Sequence, residues 1–166
     1  MRVLGVDPGT RFLGYGVLEV DGPSTKCLAW GTLEGGKKLE IHQRLFVLHQ
    51  ALREVVDRWD PDEMAIEEPF VAPARGAQAV ALLLAAACGM TVHRYVPSQV
   101  KAAVANYGAG SKAQVQRAVQ LVLGLGTDPM GEDASDALAI GLCHIQHSRT
   151  ANSTGIPAGL HGGRSR

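Results

Sequence analysis

The chain has 166 residues, 46% of them hydrophobic, with 16 basic and 16 acidic side chains; that suffices for one domain with its own core and is too neutral for a uniformly basic nucleic-acid binder. No stretch approaches the roughly 18 apolar residues of a membrane span, and Met1-Arg2 leads into Val3 to Val6 rather than a signal sequence, so a cytoplasmic protein without membrane contact is expected. Three cysteines, Cys27, Cys88 and Cys143, are far apart with no C-x-x-C spacing; they argue against a disulfide frame or zinc knuckle and read as small buried hydrophobes.

Val3 to Asp7 is a short apolar run stopped by Pro8-Gly9, the pattern of a buried strand ending at a tight turn. Leu13 to Val20 and Lys26 to Thr32 are two further strand-like runs with Asp21-Gly22-Pro23 between them, so the first three strands form an antiparallel meander. Ile41, Leu45, Leu48, Leu52, Val55, Val56 and Trp59 recur at helical spacing until Asp60-Pro61-Asp62 stops the pattern. Met64 to Glu67 reads as a fourth strand, Ala77 to Cys88 as a helix ended by Gly89, and Thr91 to Val96 as a fifth strand. Helices are expected over Gln99 to Ala105, Lys112 to Leu123 and Glu132 to Gln146. After His147 the Ser, Thr, Gly and Arg content predicts a disordered basic tail, dividing the chain into a domain over 1–148 and a tail over 149–166 whose Arg149, Arg164 and Arg166 can meet phosphates.

This order predicts an α/β domain with a mixed five-stranded sheet, a three-strand meander extended by parallel strands through right-handed crossovers, and helices on both faces. RNase H-like topology belongs to that set. Charge is unevenly placed along it. Glu54 to Glu68 holds seven acids against one arginine, whereas Pro69 to Thr127 holds no acid and only Arg75, Arg94, Lys101, Lys112 and Arg117 as full cations. A stretch that long without counter-charge offers a positive surface to a polyanion.

Four acids fall where side chains can converge. Asp7 ends the first strand and Glu67 or Glu68 the fourth; strand alternation lets only one of that pair face the site, and spacing does not choose between them. Asp133 and Asp136, three apart in the first turn of the last helix, share one face beside its positive N-terminus. Clustered carboxylates repel one another unless cations enter, and all-oxygen sites with few His or Cys candidates suit magnesium or manganese rather than zinc. Two such ions about 3.5–4 Å apart serve phosphodiester hydrolysis.

Leu4-Gly5-Val6-Asp7-Pro8-Gly9-Thr10 followed by Gly14-Tyr15-Gly16-Val17 resembles the opening of the RuvC family of Holliday-junction resolvases. Three later blocks agree in order: Ala65-Ile66-Glu67-Glu68-Pro69-Phe70; Gln99-Val100-Lys101 with Gly108, Gly110, Lys112 and Gln114-Val115-Gln116; and Asp133-Ala134-Ser135-Asp136-Ala137-Leu138-Ala139-Ile140. The resemblance implies that Asp7, Glu67, Asp133 and Asp136 bind two Mg2+ or Mn2+ ions and carry catalysis, choosing Glu67 over Glu68. It further implies that Lys101 and Lys112 contact DNA phosphate, that Phe70 stacks at the crossover, and that Arg75 lies in a DNA-binding segment. A homodimer acting on a four-way junction with the RuvA-RuvB branch-migration complex is the implied assembly.

One segment departs from the family pattern. Where the family usually has a Leu-Gly-Gln-Ala-Arg-Gly-like run, this chain has Ala72-Pro73-Ala74-Arg75-Gly76 and then an almost wholly apolar stretch to Cys88. A helix apolar all round must be covered, by a second copy or by its own domain. Two other readings start from the same residues. Asp7-Pro8-Gly9-Thr10 could serve as the phosphate loop of an actin- or sugar-kinase-like ATPase, though such proteins need two of these domains, and the chain could be a junction-binding module without catalysis.

Overall fold

The apolar runs at the N-terminus form β1 (Arg2–Asp7), β2 (Phe12–Asp21) and β3 (Ser24–Glu34) in a computed structural model that describes residues 1–68, 72–105 and 111–154. The rest of the chain supplies α1 (Ile41–Trp59), β4 (Glu63–Glu67), α2 (Ala72–Ala87), β5 (Thr91–Tyr95), α3 (Pro97–Ala105), α4 (Lys112–Leu123) and α5 (Glu132–Thr154). The strand order is β3-β2-β1-β4-β5. β1, β2 and β3 pair antiparallel, and β4 and β5 extend the sheet in parallel. This is the mixed RNase H-like sheet that the sequence order implies.

β1 sits at the centre with Val3 to Val6 buried, as expected of a strand covered on both faces. Alternation sorts its side chains. Leu4 and Val6 join Leu13, Val17, Met64 and Ile66 against Leu48 and Leu52 of α1 and Leu84 of α2. Val3 joins Leu18, Ala65 and Tyr95 on the opposite face, against Val104 of α3, Val119 of α4 and Leu138 of α5. At roughly 25 cal/mol per Å2 of apolar surface removed from water, these two layers supply most of the drive to fold.

Glycine decides how closely α5 approaches its face. A Cβ added at Gly14 would land on the Asp133 carbonyl oxygen, one at Gly5 on the Ala137 carbonyl oxygen, and one at Gly16 on the Leu138 side chain. At Gly5 and Gly14 the helix therefore rests against strand backbone, with side chains such as Leu18 and Ala65 filling the space beside these contacts. Helix ends are held by local chemistry. Ser111 caps α4 by accepting from the Gln114 N–H at 3.3 Å while the Gln114 side chain accepts from the Ser111 N–H at 2.7 Å, and Gly124 closes the helix at φ 64°. Asp60 ends α1 in the left-handed region at φ 44°, which aspartate tolerates better than most residues.

Three expectations change. α2 begins at Ala72, five residues before the expected start, because a proline in the first turn of a helix gives up no intrahelical hydrogen bond. α5 continues to Thr154 instead of giving way to a tail at 149. Its Arg149 guanidinium donates to the Pro23 carbonyl at 2.9 Å and to Thr25 Oγ1 at 3.1 Å, tying the added turns to the β2–β3 turn. Arg164 and Arg166 lie outside the described residues. The cysteines are free, but Cys88 is exposed and Cys27 only partly covered, leaving Cys143 as the buried one. Among the described residues no helix is long and apolar enough to cross a membrane.

Candidate active site

β1 and β4 run in parallel with Val6 beside Ile66, so the next step along both strands brings Asp7 and Glu67 to neighbouring positions at the strand C-termini. Strands lie about 4.8 Å apart there. Alternation decides the choice left open in the sequence. Glu67 shares its face with Ala65, which packs under α5, whereas Glu68 is exposed. The N-terminus of α5 comes over this edge because Gly14, the β2 partner of Asp7, admits the backbone of Asp133. Asp136 follows one turn later.

The four carboxylates feel one another. Burial and the charges of Asp136, Glu67 and Asp133 push the Asp7 carboxyl up to about 7, against the opposing pull of Lys112. Glu67 is raised by burial and then by Asp136, and Asp136 by burial, with Glu132 and Asp133 adding to it. Positive charge brought among these carboxyls would draw them back toward the ionised form.

Two cations stand over the acids. Lys101 on α3 draws Glu67 and Asp136 back toward the ionised form, and Lys112 does the same for Asp7 and Asp136. Glu67, Asp136, Lys101 and Lys112 line one open groove of about 660 Å3, with Val100 and Val104 on its apolar side. The Lys112 ammonium donates to Glu132 Oε2 at 2.7 Å, an exposed ion pair of the kind that contributes only about 0–1 kcal/mol and can be exchanged. Arg75 is exposed on α2 and is not among the residues of this groove. Phe70, Gly108 and Gly110 lie outside the described residues.

A second group of polar side chains was not legible in the sequence. Glu63 at the start of β4, His93 on β5 and His144 on α5 place their ligand atoms within 4.8 Å of one another. These positions are tens of residues apart with no motif spacing, and only the sheet register and the lie of α5 bring them together.

The family model described as "Crossover junction endodeoxyribonuclease RuvC" matches residues 3–144. The enzyme of that name from Dehalococcoides mccartyi (strain 195) is 42% identical over 161 residues, covering 93% of this chain and 98% of its own length. Its counterpart from Chloroflexus aggregans is also 42% identical, covering 94% of this chain and 99% of its own. Among solved structures, Thermus thermophilus RuvC in complex with a Holliday junction substrate superposes with a TM-score of 0.82 at 31% identity, over 91% of this chain and 96% of that one.

Proposed function

Given that this chain belongs to the RuvC family of crossover junction endodeoxyribonucleases, we propose that it resolves four-way DNA junctions by phosphodiester hydrolysis at Asp7, Glu67, Asp133 and Asp136. The observation that carries this reading is the mutual electrostatic coupling of the four carboxylates at one sheet edge, under two lysines. The donor set suits hard divalent cations: carboxylates, with the proton affinity of Asp7, Glu67 and Asp136 raised, and no imidazole or thiol among the described residues of the groove. Mg2+ or Mn2+, two ions held by the four acids, would neutralise that charge and supply an activated water and a stabilised leaving oxygen.

The protein's own side chains do the rest. Lys101 and Lys112 take the scissile phosphate, Lys112 exchanging Glu132 for a phosphate oxygen, and they stabilise the charge that grows there. Water attacks phosphorus in line with the departing 3′ oxygen, which leaves 5′-phosphate and 3′-hydroxyl ends. Phe70 and Arg75 are assigned to DNA contact by their place in the motif order, and the exposure of Arg75 is compatible with that.

A homodimer is the assembly we assign, cutting symmetry-related strands because a two-fold protein matches a nearly two-fold junction. Phe46 of α1 is 63% and Leu83 of α2 is 70% exposed, on helices that pack against each other; a partner's helices would cover them. Kinship to the family supports RuvA-RuvB as the branch-migration partner and the cytoplasm as the location. The test is metal-dependent nicking of a four-way junction beside a linear duplex. Selective, paired nicking is expected from the wild type, with junction binding but no cleavage from Asp7→Asn; equal cleavage by the two proteins would overturn the assignment.

A further inference from the structure

Glu63, Ala65 and Glu67 alternate onto the face of β4 that α5 covers, and in the parallel register His93 stands beside Ala65 on the same face. His144 lies on α5 eleven residues beyond Asp133, about three helical turns from the catalytic end. Glu67 lies four residue steps along the strand from Glu63, roughly 13 Å. One sheet face therefore carries carboxylates at one end and two imidazoles with a carboxylate at the other.

The two imidazoles converge on a single oxygen. His144 Nε2 is 2.6 Å and His93 Nε2 3.5 Å from Glu63 Oε2, and the two rings stack with centroids 4.2 Å apart. His93 Nε2 is buried yet makes no hydrogen bond, a costly state for a ring nitrogen that a lone-pair acceptor would relieve. The far nitrogen of His144 is also engaged, with Tyr95 Oη at 2.7 Å from Nδ1. A hydrogen-bond partner on the outer nitrogen is the usual means of orienting a metal-binding histidine.

We propose that Glu63, His93 and His144 form a transition-metal site, of the class that takes Zn2+, which clamps β4 and β5 to α5 at the end of the sheet opposite the catalytic acids. Ligands at 2.0–2.1 Å from a tetrahedral ion lie about 3.3 Å from one another. The His93 to Glu63 separation already fits, and the His144 to Glu63 contact opens by less than about 1 Å. Binding leaves the charge of His144 unchanged: its proton moves from Nε2 to Nδ1, and Tyr95 turns from donor to acceptor. The Glu63 and His93 side chains are 26% and 23% exposed, so the ion and a water as fourth ligand enter from solvent. Two imidazoles and one carboxylate select zinc over magnesium, the reverse of the acid site. Because β4 ends in Glu67 and α5 begins with Asp133 and Asp136, the clamp fixes the strand and helix that present three of the four acids.

The test measures the melting temperature of the EDTA-stripped full-length chain with zinc chloride alone or magnesium chloride alone, and the visible spectrum with cobalt chloride. Zinc at roughly a hundred times its dissociation constant should raise Tm by about 5–10 °C, in the wild type and in Asp7→Asn alike. Cobalt should give the intense absorption of a four-coordinate ion. His93→Phe, which keeps the stacked ring and removes the nitrogen, should lose both signals; if that variant fails to fold, Glu63→Gln takes its place. The proposal is overturned if zinc has no effect, if its effect survives the ligand substitution, or if it disappears in Asp7→Asn, which would put the ion among the catalytic acids.

Discussion

The two ends of one sheet face use the same elements for opposite chemistry. At the strand C-termini β1, β4 and α5 gather four carboxylates under Lys101 and Lys112, and burial with like charge raises the proton affinity of Asp7, Glu67 and Asp136. At the other end β4, β5 and α5 gather a carboxylate and two stacked imidazoles beside Tyr95. The first is a crowd of hard oxygens open to a groove; the second is a small, mixed, largely covered cluster. A single helix and a single strand can thus carry two sites whose preferences in cations barely overlap, because the donor atoms rather than the scaffold set the preference.

The largest effect that separates the two ends is expected from Asp7→Asn, which should lower junction nicking by more than about a hundredfold. Quantifying nicked product at saturating magnesium checks this; cleavage within a few-fold of wild type would remove Asp7 from the site. Gly14→Ala strikes the seat of the acid end alone. Its methyl would meet the Asp133 backbone, costing about 1–3 kcal/mol and shifting the helix that carries Asp133 and Asp136. Denaturant unfolding combined with nicking should reveal both losses, and an unchanged midpoint would mean that α5 is free to move away.

A third prediction concerns pH without metal. Asp7 holds its proton more tightly when folded than when unfolded, so its contribution to stability is complete below about 4 and is lost as pH rises through about 7. In EDTA the wild type should lose stability across that window, on the order of 4 kcal/mol, and Asp7→Asn should lose markedly less, because only Glu67 and Asp136 then remain raised. Thermal melts from pH 4 to 8 measure the difference; parallel curves would mean that Asp7 is not strained by its neighbours. The smallest effect is expected from Lys112→Ala. It should weaken junction binding about equally across sequences and reduce the salt dependence by about one phosphate contact, with little change in stability because its partner Glu132 is exposed.

Much of the acid site could be read from the chain because strand ends and helix starts are local features. Asp7 before Pro8-Gly9 and Asp133 with Asp136 in a first turn declare their places without knowledge of the fold. The choice of Glu67 over Glu68 needed either a family motif or the face on which Ala65 packs, since alternation says that one of the two meets the site without saying which. Gly14 and Gly16 were visible as a motif, but their use as a seat for α5 is a tertiary fact. The histidine end was invisible for the same reason. Polar composition after His147 argued for a disordered tail over 149–166; α5 nevertheless runs to Thr154, with Arg149 held to the β2–β3 turn.

The absence of side chains beneath the start of α5 sets a gauge. Where aliphatic residues separate a helix from a sheet, trading one for another changes the gap by fractions of an ångström, and mutation can drift it. Here main-chain atoms touch main-chain atoms, so the height of Asp133 above Gly14, the strand partner of Asp7, is set by the contact of two backbones, a dimension that no substitution can reduce.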